Sequence, residues 1–241
     1  KKNGIVENCL YSIHEIKNLS KEKKDTVKAD LRKIISKRKN ILGIKFNIPQ
    51  IMGVLNITPD SFSDGGLFFD ETKAYDHADL MLKNGAAIID IGGESTRPGS
   101  KVVDEKDEWE RIKNTIIKLK KNFSKIAISL DTRKSYVMKK GIENKVDIIN
   151  DVSGLNFDNK SFDIINSRKI PFILHHMQGT PDTMQKNPRY EDALLDIYDF
   201  FEERINSCIR QKYNKELIIL DPGLAFGNNL DHNLRIISKI S

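Results

Sequence analysis

Cysteine is scarce in this chain: two residues in 241, Cys9 and Cys208, far apart in sequence. Neither a CxxC nor a metal-type spacing can be built from them. Both therefore read as free thiols of a reducing compartment rather than as a disulfide. Long apolar runs are missing too. Apolar residues make up 39% of the chain, yet no stretch approaches the roughly 18 that a membrane span requires. The start has no apolar signal core and no methionine, so Lys1 is expected to lie inside a longer parent chain. Familiar nucleotide and hydrolase signatures are also wanting. There is no GxxxxGK[ST] loop, no GxSxG elbow and no HExxH, and "GLAFG" at 223–227 lacks the GxGxxG spacing. The expectation is a cytoplasmic globular protein, either one large domain or a domain with a smaller appendage.

The net charge of +6 is unevenly placed. Residues 1–50 hold 13 Lys/Arg against 5 Asp/Glu, whereas the other 191 residues hold 27 against 29. A basic whole would point to nucleic acid; an excess confined to one end is explained by a solvated helical face. In that end, Val27, Leu31, Ile34 and Ile35 share one face of a helix. Leu42, Ile44, Phe46 and Ile48 then alternate as a half-buried strand would. Residues 1–48 thus read as a basic leader or linker, and 49–241 as the main domain.

From residue 51 short apolar runs recur: "IMGVL" (51–55), "AAIIDI" (86–91), "IAISL" (126–130), "DIIN" (147–150), "PFIL" (171–174) and "LIIL" (217–220). Helical stripes separate most of them. Ala74, Ala78, Met81 and Leu82 form one; Trp109, Ile112, Ile116 and Leu119 a second; Leu194, Ile197, Phe201, Ile205 and Cys208 a third. Shorter helices are expected after residues 131 and 160. Strands alternating with helices predict βαβ units and a parallel sheet covered on both faces. A (β/α) barrel and an open doubly wound sheet both satisfy this pattern.

Each run ends on polar residues: Asn56, then "GGESTRPGS", Asp131, Asn150-Asp151, His175-His176 and Asp221. In a parallel sheet those ends lie on one side, where α/β barrels gather their working groups. Taken singly, each has a plainer reading as a helix cap or turn residue. The His pair suggests a metal, but neighbours on a strand point to opposite faces. Six coincidences beside two glycine-bounded loops, "NITPDSFSDGGLFF" and "GGESTRPGS", point instead to one pocket with covers that exclude water. Arg97 suits an anionic group. Asp131, Asn150 and Asp221 suit the donor edge of a flat heterocycle.

These residues carry a family resemblance. "MGVLNITPDSFSDGG", "GAAIIDIGGESTRPGS", "SLDTRKS", "DIINDVSG", "HMQGTP" with "MQKNPRYEDA", and "DPGLAFG" resemble, in order, the motifs of dihydropteroate synthases over about residues 50–230. The resemblance implies a TIM (β/α)8 barrel, Mg²⁺ dependence and folate biosynthesis. It implies transfer of a pterin-methyl group from 6-hydroxymethyl-7,8-dihydropterin diphosphate to 4-aminobenzoate, with sulfonamides as competitors. Carried over by motif, Asn56 holds Mg²⁺ and the diphosphate. Thr96, Asp131, Asn150 and Asp221 bind the pterin substrate, and Asp131 stabilises the cation formed as diphosphate leaves. Arg97 joins Asn56 and Asp131 as a catalytic group. Met177 packs on the pterin, Phe226 borders the 4-aminobenzoate site, and Phe62 with Ser95 to Pro98 closes over it. A homodimer and a fused pyrophosphokinase domain are further implications. "TPDSFSDGG" and "ESTRPG" speak against a related corrinoid-linked methyltransferase.

The chain also departs from the family. Ala225 stands where glycine is usual, and Asn228 where lysine is common. The family's later Ser-Arg-Lys and Arg-x-His segments do not occur. About six strands cannot close an eight-stranded barrel. The expectation is therefore a C-terminally incomplete barrel: a fragment of a longer enzyme or a catalytically inactive, degenerate pterin-binding relic.

Overall fold

Strands form where the apolar runs predict them. The computed structural model describes residues 11–12, 14–37, 39–58, 71–95, 100, 102–123, 125–179 and 188–239. Two compact units divide between Lys39 and Asn40. The first holds a 3-10 turn, Glu15–Asn18, and helix α1, Lys21–Ile35. Val27 and Leu31 of α1 are half-buried, whereas Ile35 is exposed.

The second unit alternates strand and helix throughout. It runs β1 (Ile51–Asn56), α2 (Glu71–Lys83), β2 (Ala86–Gly92), α3 (Glu105–Asn122), β3 (Ala127–Asp131), α4 (Ser135–Glu143) and β4 (Ile148–Asp151). It continues α5 (Ser161–Arg168), β5 (Phe172–His175), α6 (Ala193–Arg210), a 3-10 turn at Lys215–Leu217, β6 (Ile218–Asp221) and α7 (Leu230–Ile237). Every pair is parallel, and the sheet order is β1-β2-β3-β4-β5-β6. A doubly wound sheet reverses its order at a switch point. An unreversed order winds one way and puts every crossover helix on one face. The sheet is thus the wall of an incomplete barrel.

The wall separates two apolar layers. Outside, Ile89, Ile91, Ile128, Leu130 and Leu174 pack against Ile112, Ile116 and Leu119 of α3 and Val137 and Met138 of α4. Each such buried side chain contributes about 1.5–3 kcal/mol. Inside lies a small layer of Ile88, Ala127, Ile148 and Ile173. Helix ends follow local chemistry: Asp104 accepts from Lys106 N at 2.9 Å to cap α3, and Asp192 accepts from Leu194 N at 3.1 Å to cap α6. No helix among the described residues is long and apolar enough to cross a membrane.

Two expectations change. Residues 42–48 form turns, not a strand. Leu42 and Gly43 take φ of 54° and 78°, and Ile41 and Ile44 exchange backbone hydrogen bonds at 3.3 and 2.9 Å. This is the tight two-residue hairpin that positive φ allows. Its alternating pattern serves instead to place Ile44 against the inner layer. Secondly, both faces are covered only in the middle of the sheet. β4 and β5 are buried at every position, whereas Ile51 and Val54 of β1 and Leu220 of β6 are exposed at the two edges.

Candidate active site

Strand alternation decides which side chains enter the barrel. Leu55, Ile91, Leu130, Ile149 and Leu174 all belong to the outer layer. Their C-terminal neighbours Asn56, Gly92, Asp131, Asn150 and His175 therefore face inward. Register aligns them: Asn56 pairs with Gly92, Gly92 with Asp131, and Asp131 with Asn150. His175 pairs with Asp221, two residues beyond the inward Ile219. Four of the expected site residues, Asn56, Asp131, Asn150 and Asp221, thus sit on the inner side of one sheet end.

Gly92 brings no side chain to this row. A Cβ there would stand 3.2 Å from Asp131 Oδ2 and 3.4 Å from Asn56 Oδ1. Two oxygens therefore close on the place that a side chain at 92 would take, with less than a methyl group's room between them. One row deeper, Asn150 Nδ2 donates to Asp90 Oδ2 at 2.9 Å, and both residues are buried. Burial raises the Asp90 carboxyl above the usual range, against hydrogen bonds from Ser129 and Asn150. The Asp131 carboxyl is raised well above its ordinary value, first by desolvation, then by repulsion from Asp90, Glu108, Asp151 and Glu94. Asp90, Asp131 and Asp151, crowded together in this way, favour a positive charge beside them.

The histidines part company, as strand geometry requires. His175 lies with Nε2 3.9 Å from Asp221 Oδ2 and its ring edge-on to Phe226, centroids 4.6 Å apart. Desolvation lowers its pKa, against the pull of Asp221. His176 packs outward on Phe200 at 4.9 Å, and desolvation followed by repulsion from His175 pushes it down to about 4. The pair shares no metal position.

Beside the pocket, a buried ion cluster holds the base of the second loop. Glu94 accepts from Val103 N at 3.0 Å and from Arg133 Nε at 3.0 Å, and pairs with Lys134 at 3.0 Å. Lys134 also pairs with the fully buried Glu108. The Ser95 carbonyl accepts from Ser100 Oγ at 2.5 Å. Met177 is half-buried just past β5, and Phe226 is half-buried in the loop after β6. That loop is tied by Asn228, whose Nδ2 donates to the Gly223 carbonyl at 2.6 Å. Phe62, Thr96, Arg97 and Pro98 lie outside the described residues.

Sequence reasoning passed over Asp90 and Gly92. The signal for Asp90 was available: it is the only charge in "AAIIDI". Among the described residues, no group of three or more His, Cys, Asp and Glu is arranged to hold a metal. The two oxygens nearest position 92, Asn56 Oδ1 and Asp131 Oδ2, are instead hard donors of the type that Mg²⁺ takes, in a number that suits an ion needing few protein ligands.

A parallel barrel wall with polar groups gathered at its carboxyl end defines a class, the α/β barrel enzymes. Residues 52–241 match the family of pterin binding enzymes. Dihydropteroate synthase of Haemophilus influenzae is 39% identical over 198 residues, covering 82% of this chain and 71% of that protein. A Yersinia pestis dihydropteroate synthase, solved in complex with a sulfonamide drug, superposes with a TM-score of 0.76 at 39% identity. That match covers 82% of this chain and 71% of the other. A Xanthomonas albilineans dihydropteroate synthase solved with 4-aminobenzoic acid gives a TM-score of 0.74 at 31% identity, covering 85% and 73%. The chain belongs to the dihydropteroate synthase family, transferases of folate biosynthesis.

Proposed function

We propose that this chain condenses 6-hydroxymethyl-7,8-dihydropterin diphosphate with 4-aminobenzoate on the inner side of its barrel, using residues 49–241, with 1–48 as a basic leader outside the chemistry. The observation that supports this most is the aligned row Asn56, Gly92, Asp131 and Asn150, continued by His175 and Asp221 at the same end of the sheet. Asn150 and Asp221 accept from the donor edge of the pterin and fix its orientation. Asp131 pairs in register with Gly92 on one side and with Asn150 on the other. As the bond to diphosphate breaks, the pterin methylene becomes electron-poor, and a carboxylate held among other carboxylates stabilises it. The same crowding that raises Asp131 in the free protein strengthens its attraction for the cation.

Asn56 and Asp131 would hold Mg²⁺ beside Gly92, where the ion would neutralise charge on the departing diphosphate. Thr96 and Arg97 bind the diphosphate and Arg97 assists its departure. Met177 packs on the pterin face. Phe226, Phe62 and Ser95 border the arylamine, and sulfonamides compete for that place. The reaction uses cytoplasmic substrates.

The test is direct. Full-length protein is incubated with pterin diphosphate, Mg²⁺ and labelled 4-aminobenzoate, and labelled dihydropteroate is measured. Asp131→Asn is expected to lower kcat by about 10²–10³-fold, as loss of one preorganised electrostatic group does. Full activity in Asp131→Asn would reject the assignment.

A further inference from the structure

Asp90 touches none of the reacting groups named above, yet it is a carboxylate with 3% exposure on the inner side of β2. A buried charge is costly unless its partners use it. Its Oδ2 accepts the 2.9 Å hydrogen bond from Asn150 Nδ2. An asparagine amide has a donor end and an acceptor end, whereas a carboxylate oxygen only accepts. The bond therefore turns the NH2 end of Asn150 toward Asp90 and its carbonyl end away. That carbonyl oxygen, Oδ1, is buried and has no hydrogen-bond partner among the described residues. It belongs to a residue paired in register with Asp131. Without an obligate acceptor beside it, the amide has two orientations of similar energy, and only one of them offers an acceptor to the cavity.

We propose that Asp90 is a positioning residue: it locks the Asn150 amide so that the pocket presents Oδ1 to an N–H of the bound heterocycle. With Asn150 so turned, the interior presents acceptors from three places, Asp131, Asn150 and Asp221. Such a lining selects a flat ring whose edge carries several N–H donors. Asp90→Asn keeps the shape but removes the lock. An amide at position 90 is able to donate into Asn150 Oδ1 and so consume the acceptor that the substrate needs. This inference rests on the assignment of Asn150 to the pterin.

A double-mutant cycle separates the two. Asp90→Asn, Asn150→Ala and the double variant are made in the full-length protein. Kd for 6-hydroxymethyl-7,8-dihydropterin diphosphate is measured by calorimetry, KM for 4-aminobenzoate by turnover, and Tm by thermal melting. Each single variant is expected to weaken pterin binding about tenfold, the loss of one hydrogen bond. The double variant is expected to bind no worse than Asn150→Ala, because Asp90 acts through that amide. KM for 4-aminobenzoate stays near wild type. In Asp90→Asn, Tm stays level or rises, since removing a buried charge relieves desolvation. Wild-type affinity in Asp90→Asn, with Asn150→Ala impaired, overturns the proposal alone. So do additive losses in the double variant, or a Tm of Asp90→Asn that falls along with its affinity. Wild-type affinity in Asn150→Ala overturns the pterin assignment itself, and with it the proposal.

Discussion

Replacing Gly92 with alanine puts the smallest test into the centre of the site. The added methyl would lie 3.2 Å from Asp131 Oδ2, 3.3 Å from Asp131 Cβ and 3.4 Å from Asn56 Oδ1. Relaxed contacts run about 3.5–4.0 Å, so the Asp131 side chain must retreat by roughly 0.3 Å. Such a shift is the mild end of overpacking, which costs about 1–3 kcal/mol in a tight core. Alanine also reduces the freedom of the unfolded chain, which contributes about 0.4–1 kcal/mol in the other direction. The two effects nearly cancel, and stability should stay within about 1 kcal/mol of wild type. Activity should not. The methyl crowds the two oxygens, and small misplacements of catalytic groups cost up to about 10²-fold. We expect kcat/KM for pterin diphosphate to fall about 10- to 100-fold, with the loss only partly recovered at high Mg²⁺. Incorporation of labelled 4-aminobenzoate measures the first quantity and urea unfolding the second. Wild-type kcat/KM in a stably folded Gly92→Ala protein would refute the reasoning, because the two oxygens would then hold nothing. A loss of several kcal/mol in stability would refute it too, by making Gly92 a packing residue.

Three further outcomes are expected. Ala225 has φ of 68°, a left-handed conformation that costs about 1–2 kcal/mol for a residue with a Cβ. Ala225→Gly should therefore stabilise the protein, by about 0.5–1 kcal/mol after the entropy of glycine is subtracted. An unchanged urea midpoint would show that the strain is absorbed elsewhere. Lys134→Ala leaves the fully buried Glu108 without its partner and should cost about 3–5 kcal/mol, read as a lower urea midpoint; a loss below 1 kcal/mol would contradict this. Burial pushes the Asp151 carboxyl up to about 6 from its usual 3.8. The folded protein then holds a proton that the unfolded chain has released, so stability falls as pH rises between about 4 and 6. At most about 3 kcal/mol is involved. Asp151→Asn should flatten that slope in urea melts at pH 4 and pH 7, and an unaltered slope would count against the buried carboxyl as its source.

Much of the fold was legible along the chain because periodicity reports local structure. All six apolar runs became strands, and Trp109, Ile112, Ile116 and Leu119 became the buried stripe of α3. The opposite facing of His175 and His176 followed from pleating alone. Where a pattern had two physical outcomes, sequence reasoning chose wrongly or not at all. Alternation across Leu42 to Ile48 fits a strand, but positive φ at Leu42 and Gly43 folds it into a hairpin.

From the order of its residues this protein acquired its strands, its helices and the polar ends that mark the pocket, because those depend on neighbours a few positions apart. Periodicity left a barrel wall and a doubly wound sheet both open, and strand order decided for the barrel that the family motifs implied. The oxygens closing on Gly92, the hold of Asp90 on Asn150 across 60 residues, and the pairing of Lys134 with Glu108 came only with the tertiary structure. These depend on register between distant segments, which packing of the whole sheet sets and local pattern does not encode.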